Sequence, residues 1–286
     1  EEAGNTCIIE NVQDRYDVAE SMVVSDITSL ETLENTTSPQ WKALEWIVCE
    51  DEISIKLIDG RDLTTGLLPK QAHGTKVGGD AGEAQVLRRY ALATFFFATS
   101  ERGPWSEQWD FLSPDAHECS WHQNVTSRQG ESFPFGELIP VGYVCLHPER
   151  SLEIMLSDAE TELGHTAFNL LRSDVINLTG TLPPEIGYLE DLTALLLQDQ
   201  KGLRGSIPST VGNLANLQSI TFSKSGPYFG GEIPSSLFAL PSLQYVTLLL
   251  NEGVWEFPST IESTQENSIK GIRIGNAIIS GTIPSY

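Results

Sequence analysis

Residues 192–208 read LTALLLQDQKGLRGSIP, a run of leucines followed by a glycine and a proline. Side chains alternate between the two sides of a strand, so Leu195 and Leu197 are expected to point inward together. Gly205 permits a sharp bend, and Pro208 cannot donate a ladder hydrogen bond. The stretch therefore predicts a short strand, a turn and an extended return.

The same unit recurs through the second half of the chain. Its Gly-x-x-Pro element stands at 180–183, 205–208, 231–234 and 281–284, with a degenerate copy at 256–258, and the prolines are 25, 26, 24 and 26 residues apart. Apolar ladders keep the same phase: Leu189, Leu192, Leu195 and Leu197; Leu214, Leu217, Ile220 and Phe222; Leu240, Leu243, Val246 and Leu248; Ile269, Ile272 and Ile274. Because one unit cannot bury its own leucines, neighbouring units must stack.

The pattern x-x-L-x-x-L-x-x-L-x-L followed by L-x-G-x-I-P resembles the plant-type extracellular leucine-rich repeat family over residues 179–286. The resemblance implies an α/β fold, a right-handed leucine-rich repeat solenoid with short parallel strands on its concave face. Family repeats carry an asparagine three residues after the second strand leucine, and the corresponding residues here are Gln200, Ser225, Asn251 and Ala277. Only Asn251 matches, so irregular turns are expected, with protrusions at Lys201 and at 226–228.

The first half of the chain is predicted to supply a helical cap for the open end of the stack. Ser38 and Pro39 are typical of a helix start, and the helix is expected to continue through Val48. A second helix is expected over about 82–99, because apolar residues recur there at helical spacing. The Gly-rich and Thr-rich stretch 60–82 between them is typical of a loop.

The cysteines and sequons indicate the compartment. Four widely spaced cysteines form no C-x-x-C pair, which favours disulfides over zinc or redox chemistry: Cys7, Cys49, Cys119 and Cys145. Three connectivities are possible, and pairing Cys7 with Cys49 and Cys119 with Cys145 closes the more local loops. Three glycosylation sequons fit the same secretory route: Asn35, Asn124 and Asn177. Four buried free thiols in a cytosolic protein are the alternative.

The family resemblance extends to the cap. Cys119-Ser-Trp121 and Cys145 occupy the places of a Cys-x-Trp element and its bridging partner in the family's N-terminal caps. Residues 89–96, RYALATFF, are most similar to caps of leucine-rich repeat proteins from diatoms and related algae. The predicted domains are an acidic N-terminal extension (1–38), a helical disulfide-bonded cap (39–149) and an array of about five repeats, the last incomplete (150–286). A strand is expected at 152–156, in a segment whose repeat phase stays open.

Charge excludes several classes of partner. The 286-residue chain has 17 Lys and Arg against 39 Asp and Glu, a net charge of −22 that repels nucleic-acid phosphates and anionic lipid surfaces. The longest apolar stretch, 91–98, is far shorter than the ~20 residues of a membrane-spanning helix. Residues 1–62 carry 15 acidic and 4 basic residues, and we expect a solvated acidic face because no D-x-D-x-D-G calcium loop is present.

The sequence contains no recognisable catalytic motif. His117 and His122 are five residues apart, whereas the H-E-x-x-H zinc motif places its histidines four apart on one helical face. The Gly-rich stretch 78–82 lacks the spacing of a phosphate-binding loop, and nothing resembles a G-x-S-x-G nucleophile turn. We therefore expect a protein that is not an enzyme, with no catalytic residue, metal or cofactor.

A binding role is the remaining expectation, because stacked repeats present an extended concave surface. Outward-facing residues form three columns: Ala194, Ser219, Tyr245 and Gly271; Leu196, Thr221, Thr247 and Arg273; Gln198, Ser223, Leu249 and Gly275. The predicted binding residues are Leu196, Gln198, Thr221, Ser223, Tyr245, Thr247, Leu249 and Arg273. The expected anchors are Leu196, Tyr245, Leu249 and Arg273. Simple solvation of the sheet is the alternative.

Three functions fit this surface. The first is a non-catalytic extracellular recognition module, such as a receptor-like ectodomain, that binds a protein, peptide or glycan. The second is a structural or assembly protein of a cell surface, extracellular matrix or multi-subunit complex. The third, which the resemblance implies, is an inhibitor of a secreted hydrolase. The sequence stops inside a repeat at 284–286, which favours assembly or a chain that continues further.

Overall fold

A computed structural model describes residues 12–25, 27–60, 81–103, 105, 110–126, 138–146, 168–173, 178–260, 269–276 and 278–280. Several predicted features lie outside these residues: Cys7, Asn177, the strand at 152–156, the Gly-x-x-Pro element at 281–284 and most of the loop 60–82. The described α-helices are α1 (Val12–Val23), α2 (Leu30–Glu34), α3 (Pro39–Cys49), α4 (Glu52–Asp59), α5 (Ala81–Ala98) and α6 (Ser235–Phe238). None of these helices is both long and apolar enough to cross a bilayer.

Short 3₁₀ helices and strands complete the described secondary structure. The 3₁₀ helices are Glu118–Ser120, Pro184–Tyr188 and Ser209–Asn213. The strands are β1 (His122–Thr126), β2 (Leu138–Leu146), β3 (Phe168–Ser173), β4 (Thr179–Thr181), β5 (Leu192–Gln198), β6 (Gly202–Arg204), β7 (Ser219–Ser223), β8 (Gly231–Glu232), β9 (Tyr245–Leu249), β10 (Val254–Glu256), β11 (Gly271–Gly275) and β12 (Ile278–Ser280).

The main sheet orders its strands β1-β2-β3-β5-β7-β9-β11. Strands β1, β2 and β3 pair antiparallel, whereas β3, β5, β7, β9 and β11 pair parallel. Two smaller parallel sheets, β4-β6 and β12-β10-β8, lie on the return side of the repeats. Parallel neighbours need a crossover between them, and here each repeat supplies one. The predicted combination of helices with parallel strands is confirmed.

The repeat array, residues 178–280, buries the aliphatic ladders that the sequence identified. The first ladder is fully buried, as is the second apart from Ile220 at 1% exposure. The last ladder is only half-buried: Ile269, Ile272 and Ile274. Each fully buried Leu or Ile contributes about 1.5–3 kcal/mol, so the array is stabilised chiefly by contact between neighbouring repeats.

The described Gly-x-x-Pro elements lie on the return side of the repeats, within or directly after its short strands. Gly180, Gly205 and Gly231 have φ values of +89°, +80° and +97°, a conformation that suits glycine. The following prolines each precede a short helix: Pro183, Pro208 and Pro234. In the degenerate copy, Trp255 and Glu256 of β10 pair with β8, so the stacking continues without the glycine.

The two helices predicted in the first half of the chain are confirmed as α3 and α5. The Ser38 Oγ begins α3 by accepting a hydrogen bond from the Trp41 N–H at 3.0 Å. The acidic N-terminal segment packs on this core, since Tyr16 of α1 stacks on Trp41 with ring centroids 5.7 Å apart. Arg15 of α1 also makes two hydrogen bonds of 2.6 Å to Asp59. The described part of the predicted extension therefore packs against α3 and the end of α4.

A buried cluster of charges joins the cap elements. Arg89 is fully buried and donates from Nε to Asp51 at 2.6 Å and from Nη1 to Glu118 at 3.2 Å. Its guanidinium lies 4.5 Å from the Trp121 ring centroid and 5.6 Å from that of Trp46. A buried charge is tolerated when it is paired and hydrogen-bonded. The pairing fixes α5 against the start of α4 and the 3₁₀ helix at 118–120.

Disulfides reinforce the cap. Cys119 and Cys145 form the predicted bridge, which ties the 3₁₀ helix at 118–120 to strand β2. Cys49 is also disulfide-bonded, and its predicted partner, Cys7, lies outside the described residues.

Helix α5 ends directly on the first strand of the array. The Thr179 N–H donates to the Thr99 carbonyl at 2.8 Å, and the Arg102 N–H donates to Thr179 Oγ1 at 3.1 Å. The approach is so close that a Cβ on Gly180 would lie 2.2 Å from the Ala98 carbonyl oxygen. Two ion pairs also link the cap to the array: Arg88 with Asp191 and Arg204 with Glu101.

A second contact between cap and array centres on Glu185. This carboxylate is fully buried, accepts hydrogen bonds from Thr28 Oγ1 at 2.8 Å and Gln40 Nε2 at 3.0 Å, and forms no ion pair with a described residue. Burial raises the pKa of Glu185 above its ordinary value, and the two hydrogen bonds oppose this only in part. The junction therefore contains an acid whose charged form is disfavoured.

Gly180→Ala tests the close contact between cap and array, with Gly205→Ala as the matched control. Both glycines have positive φ, so both substitutions carry a backbone cost of about 1–2 kcal/mol. Only Gly180 faces a backbone oxygen at clashing distance, since a Cβ on Gly205 would lie 3.4 Å from its nearest neighbour. Urea unfolding should show Gly180→Ala about 1–3 kcal/mol less stable than the control. Equal losses would contradict the close docking.

Glu185→Gln tests the buried acid. Because the folded pKa lies above the unfolded one, the folded protein binds more protons between the two values, and its stability falls as the pH rises through that interval. Removing the titration should make Glu185→Gln more stable than the parent at pH 7. Its melting temperature should also fall less from about pH 5 to 7, measured by calorimetry. Glu190→Gln, at an exposed position, is the control. An unchanged pH slope in Glu185→Gln would refute the assignment.

Candidate binding surface

The strand ladder brings the predicted binding residues together in register. Ala194 lies opposite Ser219, which lies opposite Tyr245, and the middle and third columns align in the same way. Strand β11 extends the three columns through Gly271, Arg273 and Gly275. Equivalent positions of neighbouring repeats are therefore one strand spacing apart, about 4.8 Å.

The accessible part of these columns is smaller than the sequence predicts. Leu196 is 1% exposed and Tyr245 is 6% exposed, so little of either predicted anchor is accessible, and their role in binding stays a prediction. Alternation along a strand determines the side of the sheet on which a residue lies, but not whether packing covers that side. The other predicted residues fall into three groups: Thr221, Ser223 and Thr247 are buried, Gln198 and Leu249 are half-buried, and Arg273 is exposed.

Two glycines of β11 account for part of this burial. Gly271 leaves room beside Tyr245, whose ring a Cβ at that position would meet at 3.6 Å. Gly275 leaves room for Leu249, whose Cδ2 would lie 3.0 Å from such a Cβ. Large side chains commonly fill the space beside a glycine on a neighbouring strand. Arg273, between the two glycines, is then the exposed side chain of the last described strand in the ladder.

The residues that follow the strands form an exposed rim, which we call the turn rim: Asp199, Lys224, Leu250 and Asn276. Their φ values are +55°, +53°, +54° and +50°, uncommon for residues with a side chain. The first three donate their N–H groups to the next repeat at 2.8–2.9 Å, so stacking imposes the conformation. Sequence analysis missed the turn rim, whose only signal is its constant place one residue after the third column.

A second row of side chains supports the turn rim from inside. Asn251 is buried, accepts from the Ser225 N–H at 3.0 Å and donates to the Phe222 carbonyl at 2.9 Å. Gln200 has the same role, because its Oε1 accepts from the Leu178 N–H at 2.8 Å. Gln200, which departs from the family asparagine, therefore also satisfies a buried backbone group of its turn. Ala277 lies outside the described residues.

The discounted histidine motif is structural in this protein. Glu118, between the two histidines, is fully buried and accepts from Arg88 Nη1 at 2.9 Å. Burial alone would raise the pKa of Glu118, but His117 and Arg88 lower it below its ordinary value. Among the described residues, no group of three or more His, Cys, Asp and Glu side chains is placed to hold a metal ion.

Comparison with known proteins gives partial similarities. No protein-family profile matches the chain. The search of curated proteins finds no relative. One match is to a chain in a crystal structure of PEPR1–AtPEP1, with 34% sequence identity. The match covers 32% of this chain and 12% of that one, with a TM-score of 0.29.

Two structures from Arabidopsis also match in part. The receptor kinase HAESA, in complex with the peptide hormone IDA and the co-receptor SERK1, is 27% identical over 37% of this chain and 17% of that one, with a TM-score of 0.30. The LRR ectodomain of the receptor kinase SOBIR1 is 18% identical over 59% of this chain and 88% of that one, with a TM-score of 0.31. This chain spans less than a fifth of the PEPR1–AtPEP1 and HAESA chains.

Asn251→Ala tests the support of the turn rim. It leaves the Ser225 N–H and the Phe222 carbonyl without a partner, and should lower the free energy of unfolding by about 1–3 kcal/mol. Ser225→Ala is the control, because the Ser225 Oγ is buried without a hydrogen-bond partner and its loss should be close to neutral. Denaturant unfolding measures both. A loss in the control as large as that in Asn251→Ala would show that the amide does not hold the rim.

Proposed function

We propose that this chain is a leucine-rich repeat recognition module of the plant extracellular type, a right-handed solenoid covered at its front by the helical cap. It binds a peptide or protein segment and catalyses no reaction. The single observation that carries the proposal is the in-register strand ladder, which presents Leu249 and Arg273 on neighbouring strands, with the turn-rim residue Leu250 directly after Leu249. A rigid surface of this kind contacts an extended partner at several points with little ordering cost.

The chemistry of this surface points to the partner. Arg273 is exposed and forms no ion pair with a described residue, in a chain whose net charge is −22. A free guanidinium favours a carboxylate, which it can bind through two parallel hydrogen bonds. Leu250 is 46% exposed and Leu249 is half-buried, so apolar surface lies nearby. A segment with an acidic residue next to an apolar residue fits both.

The proposed organisation assigns recognition to residues 150–286 and capping to residues 39–149 together with the acidic segment 1–38. The Cys119–Cys145 disulfide is typical of an oxidising compartment. Asn35 lies in an exposed turn, where a glycan would be accommodated. We therefore place the chain in the secretory pathway, secreted or at the extracellular face of the cell.

Peptides selected from a random phage-displayed library on the immobilised chain test the proposal. We expect the selected sequences to combine an acidic and an apolar residue. The double substitution Arg273→Ala and Leu249→Ala should weaken their binding by about tenfold or more, because it removes a charged hydrogen-bond donor and its apolar neighbour. Fluorescence polarisation of labelled synthetic peptides measures the change.

Lys201→Ala with Val254→Ala is the matched control, since both residues are exposed and lie outside the three columns. The proposal fails if the control weakens binding equally, or if the test substitutions leave it unchanged. Light scattering on the same samples separates the assembly alternative. A constant monomer mass at micromolar concentration counts against assembly, whereas a mass that grows with concentration favours assembly over recognition of a foreign partner.

A further inference from the structure

The cap contains an open cleft on a different part of the molecule from the strand ladder. It lies between α3 and α5 and has a volume of about 370 Å³, within the usual range for a ligand site. Its lining includes four apolar side chains: Trp46, Phe96, Phe97 and Leu112. Trp46, Phe96 and Leu112 are 6–8% exposed, so packing within the protein sets their positions.

Three charged side chains of α3 stand around these apolar walls: Lys42, Glu45 and Glu50. All three are exposed, and none forms an ion pair with a described residue. Lys42, Trp46 and Glu50 are four residues apart and share one face of α3, with the tryptophan between the two charges. Eight residues of helix span about 12 Å, so Lys42 does not neutralise Glu50. The rim has a surplus of one negative charge.

The protein already holds a guanidinium with the same combination of groups. Inside the cap, Arg89 lies near the rings of Trp46 and Trp121 and pairs with Asp51. Trp46 belongs to both sites, because its ring lies near the Arg89 guanidinium and its side chain also lines the cleft. Aromatic rings next to a carboxylate attract a flat cation, through the ring quadrupole and through charged hydrogen bonds.

We propose that this cleft binds an arginine side chain of a basic peptide or protein segment. The guanidinium lies against the aromatic walls and donates hydrogen bonds to Glu50 and Glu45, while the arginine methylenes cover Leu112 and Phe97. Arginine fits better than lysine because its planar fork stacks on rings and binds carboxylates at two points. The net charge of −22 favours the approach of a basic segment. This site is independent of the proposed ladder surface.

The test uses the full 286-residue chain and the peptide Ac-Gly-Leu-Arg-Leu-Gly-NH₂, titrated by calorimetry or NMR. We expect saturable binding with a Kd of about 1 mM or tighter. A matched peptide with citrulline in place of arginine keeps the shape and loses the charge, and should bind about tenfold more weakly or worse. The lysine peptide should also bind more weakly, by about threefold or more.

Variants locate the binding. Glu45→Gln with Glu50→Gln should weaken the arginine peptide by about tenfold. The control, Glu31→Gln with Glu34→Gln, removes the same charge from exposed positions of α2 and should leave the Kd within about twofold. Arg273→Ala should have no effect, so failure here is distinct from failure of the ladder proposal. Three results would overturn the proposal. The first is that no peptide binds at a concentration 5-fold above about 1 mM. The others are that the citrulline or lysine peptide binds as tightly as the arginine peptide, or that the two double variants change the Kd equally.

Discussion

Each repeat of this chain buries its aliphatic side chains only because another repeat lies one strand spacing away. Strands β5, β7 and β9 have parallel neighbours on both sides, and their ladders are almost completely buried. Ile272 and Ile274 of β11 have a described neighbour on one side and stay half-buried. Other elements cover the N-terminal end of the array. The Thr99 carbonyl at the end of α5 accepts a hydrogen bond from the Thr179 N–H, and the antiparallel strands β1 and β2 extend the main sheet. A one-residue slip would turn every inward side chain outward, so register is strictly set.

The same stacking generates the surface available for binding. Equivalent residues of successive repeats stand side by side, and the turn rim repeats a left-handed backbone that its residue types would not choose alone. Gln200 and Asn251 hold this turn from inside by satisfying buried backbone groups. A partner would therefore meet a rigid surface, in which the exposed charge of Arg273 and the apolar surface of Leu250 are fixed by the repeat.

The cap handles buried charge in two ways. Arg89 is paired with Asp51 and Glu118 and lies near the rings of Trp46 and Trp121. Glu185 receives only neutral donors, so burial raises its pKa and makes the junction with the array sensitive to proton concentration. The α3–α5 cleft brings together residues of the same types at the surface, Glu45 and Glu50 with Trp46. The cleft in the cap is thus lined by acidic and aromatic side chains, whereas the ladder surface has the cation of Arg273 together with Leu249 and Leu250.

The sequence by itself determined the repeat, its phase and its inner side chains, because period and alternation are local properties that stacking can only satisfy in one way. It also predicted α3 and α5 through a start signal and helical spacing, and it favoured the Cys119–Cys145 bridge among three connectivities because that pairing closes a local loop. Only the tertiary structure decided which outward residues are accessible, since Leu196 and Tyr245 alternate correctly and are nevertheless covered. Four further features were also decided by the tertiary structure: the turn rim, the Gln200 support, the Glu185 contact and the α3–α5 cleft. Each joins residues that are distant in the chain or depends on backbone conformation, and no short sequence pattern records either property.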